Sequence, residues 1–97
     1  MFVTILSGHV TEENWRTLEK SYEQAIRTGA KGILTSMLIQ NQNEPKMWEI
    51  ITTWHSEEDY KNAQEHKITH TCVGLFCNAG STPHRNEYNV FGHYTRV

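Results

Sequence analysis

The chain has 97 residues, 21% of them charged, and a formal net charge of −2. A chain this short builds one domain, here spanning 1–97, and its core is thin because it buries only about two-thirds of the surface it exposes when unfolded. No basic block of five or more residues occurs, which excludes an electrostatic footprint for nucleic acid, and no run approaches the roughly 20 apolar residues of a membrane span.

Three Trp, four Tyr and three Phe in so short a chain argue against disorder. The two cysteines, Cys72 and Cys77, are too few for a disulfide framework. The opening Met1-Phe2-Val3-Thr4-Ile5 lacks the charged start of a signal peptide. The expectation is a cytoplasmic protein with reduced thiols.

In chain order, Phe2 to Val10 is rich in β-branched and apolar residues and reads as a strand. Gly8 inside it signals a bulge or the close approach of another segment. Thr11 is placed to cap a helix over about 12–28, where Glu12 and Glu13 complement the N-terminal dipole and Trp15, Leu18, Tyr22 and Ile26 recur at helical spacing. Gly29 ends it. Two further strands follow, 32–40 and 46–54, joined by the polar loop Asn41-Gln42-Asn43-Glu44-Pro45. Both strands carry apolar residues on both faces. Exposing Met37, Ile39 and Ile51 together would leave a sizeable patch, so the face away from the helices needs a cover.

Ser56-Glu57-Glu58-Asp59 opens a second helix over about 57–67, with a hydroxyl to accept from the third helical N–H and three carboxylates at its start. Residues 68–79 are apolar but irregular and read as a short extra helix or turn. Gly80 to Pro83 is a loop, and Arg85 to Val97 alternates as a last strand. The order β-α-β-β-α-β predicts an α+β, ferredoxin-like fold: a four-stranded antiparallel sheet with both helices on one face. The other face is left open. A second copy of the chain is its natural cover, giving a dimeric α+β barrel.

Trp48-Glu49-Ile50-Ile51-Thr52-Thr53-Trp54-His55-Ser56-Glu57-Glu58-Asp59-Tyr60 resembles the antibiotic-biosynthesis monooxygenase family. A strand ending in Trp, a Ser-Glu-Glu cap and an aromatic are that family's best local signature, and the resemblance extends over nearly the whole chain. It implies oxidation of a small aromatic or quinol-like substrate by oxygen, without metal or flavin, in a pocket between sheet and helices. Trp54 and Tyr60 match a Trp and a Tyr that line that pocket in such relatives. Those relatives also carry an Asn four residues before the Trp, to assist proton removal; here that position is Ile50. A second branch binds and degrades haem through a His after the second helix, for which His70 is the counterpart. Its Asn in the first strand and Trp in the second helix are absent, since Ser7 and His9, and Asn62 and Ala63, occupy those regions.

Each candidate also has a plain reading. Trp54 is either a stacking wall for a flat substrate or a core anchor between helix and sheet, and burial of so large a ring favours the anchor whatever the function. Tyr60 is either a hydrogen-bond donor to substrate or helix packing. His66 and His70, four apart, share one helical face and can hold a metal or supply a base near neutral pH. Lys67 rather than Glu follows His66, which excludes a zinc-hydrolase motif. The leading reading makes His70, Tyr60 and Trp54 catalytic and has His66, Asn62, Cys72 and Phe76 line the pocket, with no cofactor. Its rivals are a dimeric module that binds a small apolar ligand without converting it, and a haem protein.

Overall fold

The computed structural model describes residues 1–27, 29, 31–65, 74–77 and 79–96. Strand β1 spans Phe2–His9, helix α1 Trp15–Ile26, β2 Ile33–Gln40, β3 Met47–Trp54, α2 Glu57–Glu65 and β4 His84–Asn89. The strands form one four-stranded antiparallel sheet in the order β2-β3-β1-β4. This is the predicted ferredoxin-like α+β fold, with β1 and β3 in its centre. No helix among the described residues is long and apolar enough to cross a membrane.

Strand parity sorts the side chains. Phe2, Thr4, Leu6 and Gly8 of β1 and Trp48, Ile50, Thr52 and Trp54 of β3 are buried under the helices. Their neighbours Val3, Ile5, Met47, Ile51 and Thr53 point the other way and are only half-buried. Trp48 lies on the helix side at 5% exposure. Met37 on β2 and Tyr88 on β4 extend the open face, at 52% and 47% exposure.

The helix side holds two separate apolar clusters. The larger gathers Leu6, Val10, Leu18, Tyr22, Trp48, Ile50, Leu75, Phe76 and Ala79. The smaller is Phe2, Trp54, Tyr60 and Ala63, with Ile33 against it. Leu18 and Tyr22 bring α1 to the first cluster, and Tyr60 and Ala63 bring α2 to the second. Gly8 is a point of close approach, as its position in the strand suggested: a Cβ there would sit 2.7 Å from Phe76 Cδ1 and 2.7 Å from Ser81 Oγ.

Three local expectations are corrected. A tight 3-10 turn, Glu12–Asn14, precedes α1, so the α-helix starts at Trp15. Thr11 does not cap through its side chain, because its Oγ1 accepts from Asn14 Nδ2 at 3.2 Å instead. The last strand stops at Asn89 rather than running to Val97. Asn89 pairs with Phe2, where β1 begins, so no strand remains for later residues to join. Phe91 and Tyr94 are then 97% and 83% exposed.

Candidate functional site

The in-facing positions of a sheet under two helices are normally apolar. Here one register row breaks that rule on every strand. Ser36 pairs with Thr52, Thr52 with Thr4, and Thr4 with Glu87. The row crosses the whole sheet. It separates the Ile50–Leu6 row of the larger cluster from the Trp54–Phe2 row of the smaller one. Thr4 and Thr52 are buried.

Side chains from both helices close on the two ends of this row. From α1, the Tyr22 hydroxyl donates to Ser36 Oγ at 2.8 Å, and Ser36 Oγ is 3.4 Å from Thr52 Oγ1. From α2, the Tyr60 hydroxyl donates to Glu87 Oε2 at 2.7 Å. Arg85 Nη1 lies 3.5 Å from the same phenol oxygen. Between them the Trp54 indole N–H donates to Thr4 Oγ1 at 3.1 Å. Trp54 and Tyr60 meet edge to face with centroids 5.3 Å apart, and Phe2 leans on Tyr60 at 5.4 Å.

Tyr60 is the group this setting perturbs. Its phenol is held above the ordinary tyrosine range, first by burial, then by the hydrogen bond to Glu87, with the Arg85 charge pulling the other way. Its single proton already points at Glu87, so toward any other group its oxygen is an acceptor. That alters the donor role expected for it.

Backbone features position α2 and therefore Tyr60. Ser56 Oγ accepts from the Asp59 N–H at 3.1 Å, the predicted cap. Gly32 has φ +97°, and Asp59 Cβ would lie 2.6 Å from a Cβ placed there. The Gly32 carbonyl accepts from the His55 N–H at 2.8 Å. The entry to β2 and the start of α2 are thus held together in a way that only glycine permits.

The expected site residues are therefore split. Trp54 and Tyr60 come together. Phe76 is fully buried in the larger cluster, against Gly8 and apart from the Trp54–Tyr60 cluster. Asn62 is exposed on α2. His66, His70 and Cys72 lie outside the described residues. No group of three or more His, Cys, Asp or Glu suited to a metal ion occurs among the described residues. The sequence reading missed Ser36, Thr52, Thr4, Glu87 and Tyr22. Their signal was present as parity: Thr4 and Thr52 are the polar residues among the buried alternation Phe2-Leu6 and Trp48-Ile50-Trp54.

No family model and no curated protein matches the sequence. Solved structures do match. A protein from Deinococcus radiodurans assigned as an antibiotic biosynthesis monooxygenase aligns over 100% of this chain and 98% of its own, with TM-score 0.75 and 14% identity. SnoaB, a cofactor-independent oxygenase from Streptomyces nogalater, aligns over 98% of each chain with TM-score 0.74 and 12% identity. A mutant of MhuD with two manganese protoporphyrin IX bound per active site aligns over 99% of this chain and 100% of its own, with TM-score 0.79 and 18% identity. The chain thus has the fold of the antibiotic-biosynthesis monooxygenase structures, as the resemblance implied.

Proposed function

We propose that the protein is a cofactor-independent monooxygenase for a small aromatic or quinol-like compound, held over the polar row between the two apolar clusters. The observation that carries this reading is the row itself: buried hydroxyls at in-facing positions, flanked by Trp54, Tyr60 and Tyr22, fit a flat ligand with polar substituents better than they fit a core. An electron-rich phenolate can itself reduce oxygen. The protein then has to bind the ligand, promote loss of its proton and exclude water. For an anthrone, the carbanion takes up oxygen as a peroxide, which loses water to leave a quinone carbonyl. One oxygen atom enters the product and the other leaves as water. Trp54 is the stacking wall, and His70 or His66 the expected partner of the ligand anion.

The likeness to SnoaB supports this reading at the level of fold. A second copy on the open face, where Met37 and Ile51 are left, would complete the body in which such a site works. The free, exposed thiol of Cys77 suits the reducing cytoplasm. Oxygen consumption with a panel of dihydroxynaphthalenes and anthrones is the test. Turnover by the wild type, reduced at least tenfold in Trp54→Ala and in His70→Ala, is expected; no uptake with any member refutes the assignment.

Two other readings each have a specific observation. Ile50 is buried in the larger cluster, where the monooxygenase relatives carry an amide, which favours a module that retains an apolar ligand unchanged in air. The MhuD likeness favours haem. The described histidines His9, His55, His84 and His93 are all exposed and belong to neither buried cluster, so they do not fit an enclosed haem, and ligation would fall to His66 or His70. A Soret band on adding haemin, lost in His70→Ala, would turn the assignment toward haem.

A further inference from the structure

We propose that Tyr60 and Glu87 form a proton relay from the buried site to water, taking over the proton removal for which Ile50 offers no polar group. The inference rests on the reading of the site given above. Tyr60 touches the ligand; Glu87 acts through it.

The geometry fixes the direction. An ionised carboxylate only accepts, so the 2.7 Å contact commits the Tyr60 proton to Glu87 Oε2. The lone pairs on Tyr60 Oη then accept from a ligand hydroxyl. When that hydroxyl gives its proton to Tyr60 Oη, the original Tyr60 proton moves to Glu87 Oε2. Glu87 passes it to water. The sum is one proton moved from ligand to solvent, with Tyr60 unchanged. The two residues are suited to the two ends of such a path, since Tyr60 is 2% exposed whereas Glu87, on edge strand β4, is exposed. Transfer from a phenol to a carboxylate is uphill, but a carboxyl group in water is ordinarily ionised near neutral pH, so solvent beside Glu87 takes the proton and draws the relay forward. The Arg85 guanidinium, 3.5 Å from Tyr60 Oη, stabilises the negative charge left behind.

Other described groups do not serve. On the helix-side parity of β4 the ionisable side chains are Arg85 and Glu87, His84 and Tyr88 having the opposite parity, and a guanidinium cannot accept a proton. From β1 and β3, Phe2 and Trp54 pack against Tyr60, and neither is a base. Tyr22 of α1 is bonded to Ser36 at the far end of the row. On α2 itself, Asp59 is turned to His55 at 3.7 Å and Glu57 to Lys61 at 3.4 Å.

The test uses Glu87→Gln, which keeps an acceptor for Tyr60 but not a base, and Glu87→Asp, which keeps a carboxylate. With whichever panel compound the wild type oxidises, Glu87→Gln should lower kcat about 100-fold, the scale of general acid–base catalysis, with KM changed less than about threefold. It should also abolish the acid limb of the wild-type pH–kcat profile, and Glu87→Asp should restore both in part. A substrate-free readout is tyrosine ionisation followed by ultraviolet absorbance, with Tyr60→Phe identifying the Tyr60 step, which should move to lower pH in Glu87→Gln. Unchanged kcat and pH profile in Glu87→Gln overturn the relay and leave the monooxygenase reading standing. An unmoved Tyr60 step overturns it too. If the wild type oxidises no panel member, the functional reading fails and the relay falls with it.

Discussion

Gly8 is the residue at which Phe76 and Ser81 meet the sheet. Phe76 is fully buried, so a methyl group on residue 8 has to displace a packed ring and the Ser81 hydroxyl. Gly8→Ala is expected to cost about 1–3 kcal/mol, the usual penalty of overpacking, and chemical denaturation should show it as a lower midpoint with an unchanged slope. At this scale the sequence was informative where residues are close together in it. The contact of Trp54 with Tyr60 was foreshadowed by the family resemblance of the continuous stretch from Trp48 to Tyr60. The polar row was not, because residues 4, 36, 52 and 87 meet only once the strand register is set. Glu87 acquires its interest only from the bond that Tyr60 makes to it.

Among the elements, α2 has a start whose cause is explicit. Ser56 holds the Asp59 N–H, and Glu57, Glu58 and Asp59 place three carboxylates in the first turn. Ser56→Ala is expected to remove about 1 kcal/mol of stability, measurable as a lower melting temperature by circular dichroism. The boundaries of β1, β2 and β3 and the start of α2 were readable because hydrophobic alternation, the Asn41–Pro45 loop and the Ser-Glu-Glu cap are local signals. The failures came where a neighbour decided. Alternation through Tyr88, Val90 and Tyr94 continued the pattern of β4, but a strand needs an adjacent strand, and β1 had already ended. The entry to β2 carries a bulge at Leu34, which lies unpaired between the Ile33–Trp54 and Thr35–Thr53 pairs. It puts Ile33 with the smaller cluster and Thr35 on the other face, a shift that simple alternation does not announce.

For the molecule as a whole, the sheet presents two unlike surfaces. Its outer side combines Met37, Ile51 and Tyr88, and Phe91 and Tyr94 follow β4 with almost nothing against them. A second copy of the chain is the proposed cover. Sedimentation at micromolar concentration should give twice the chain mass of 11.3 kDa, and Ile51→Glu, which sets a charge in the middle of that side, should give the single mass with the fold intact. A well-folded wild type at the single mass would refute the pairing. The open side was legible in the sequence, because Met37, Ile39 and Ile51 are too many apolar groups to leave in water; its occupant was an inference from that surplus.

The division of the helix side has a consequence for how the molecule loosens. α1 is anchored in nine buried residues and α2 in four, and a seam of hydroxyls runs between the two sets. Peeling α2 from the sheet therefore sacrifices only the lesser set, so it requires less free energy than melting the whole. The route of least resistance into the protein leads straight to that seam, and the helix that lifts to open it carries Tyr60.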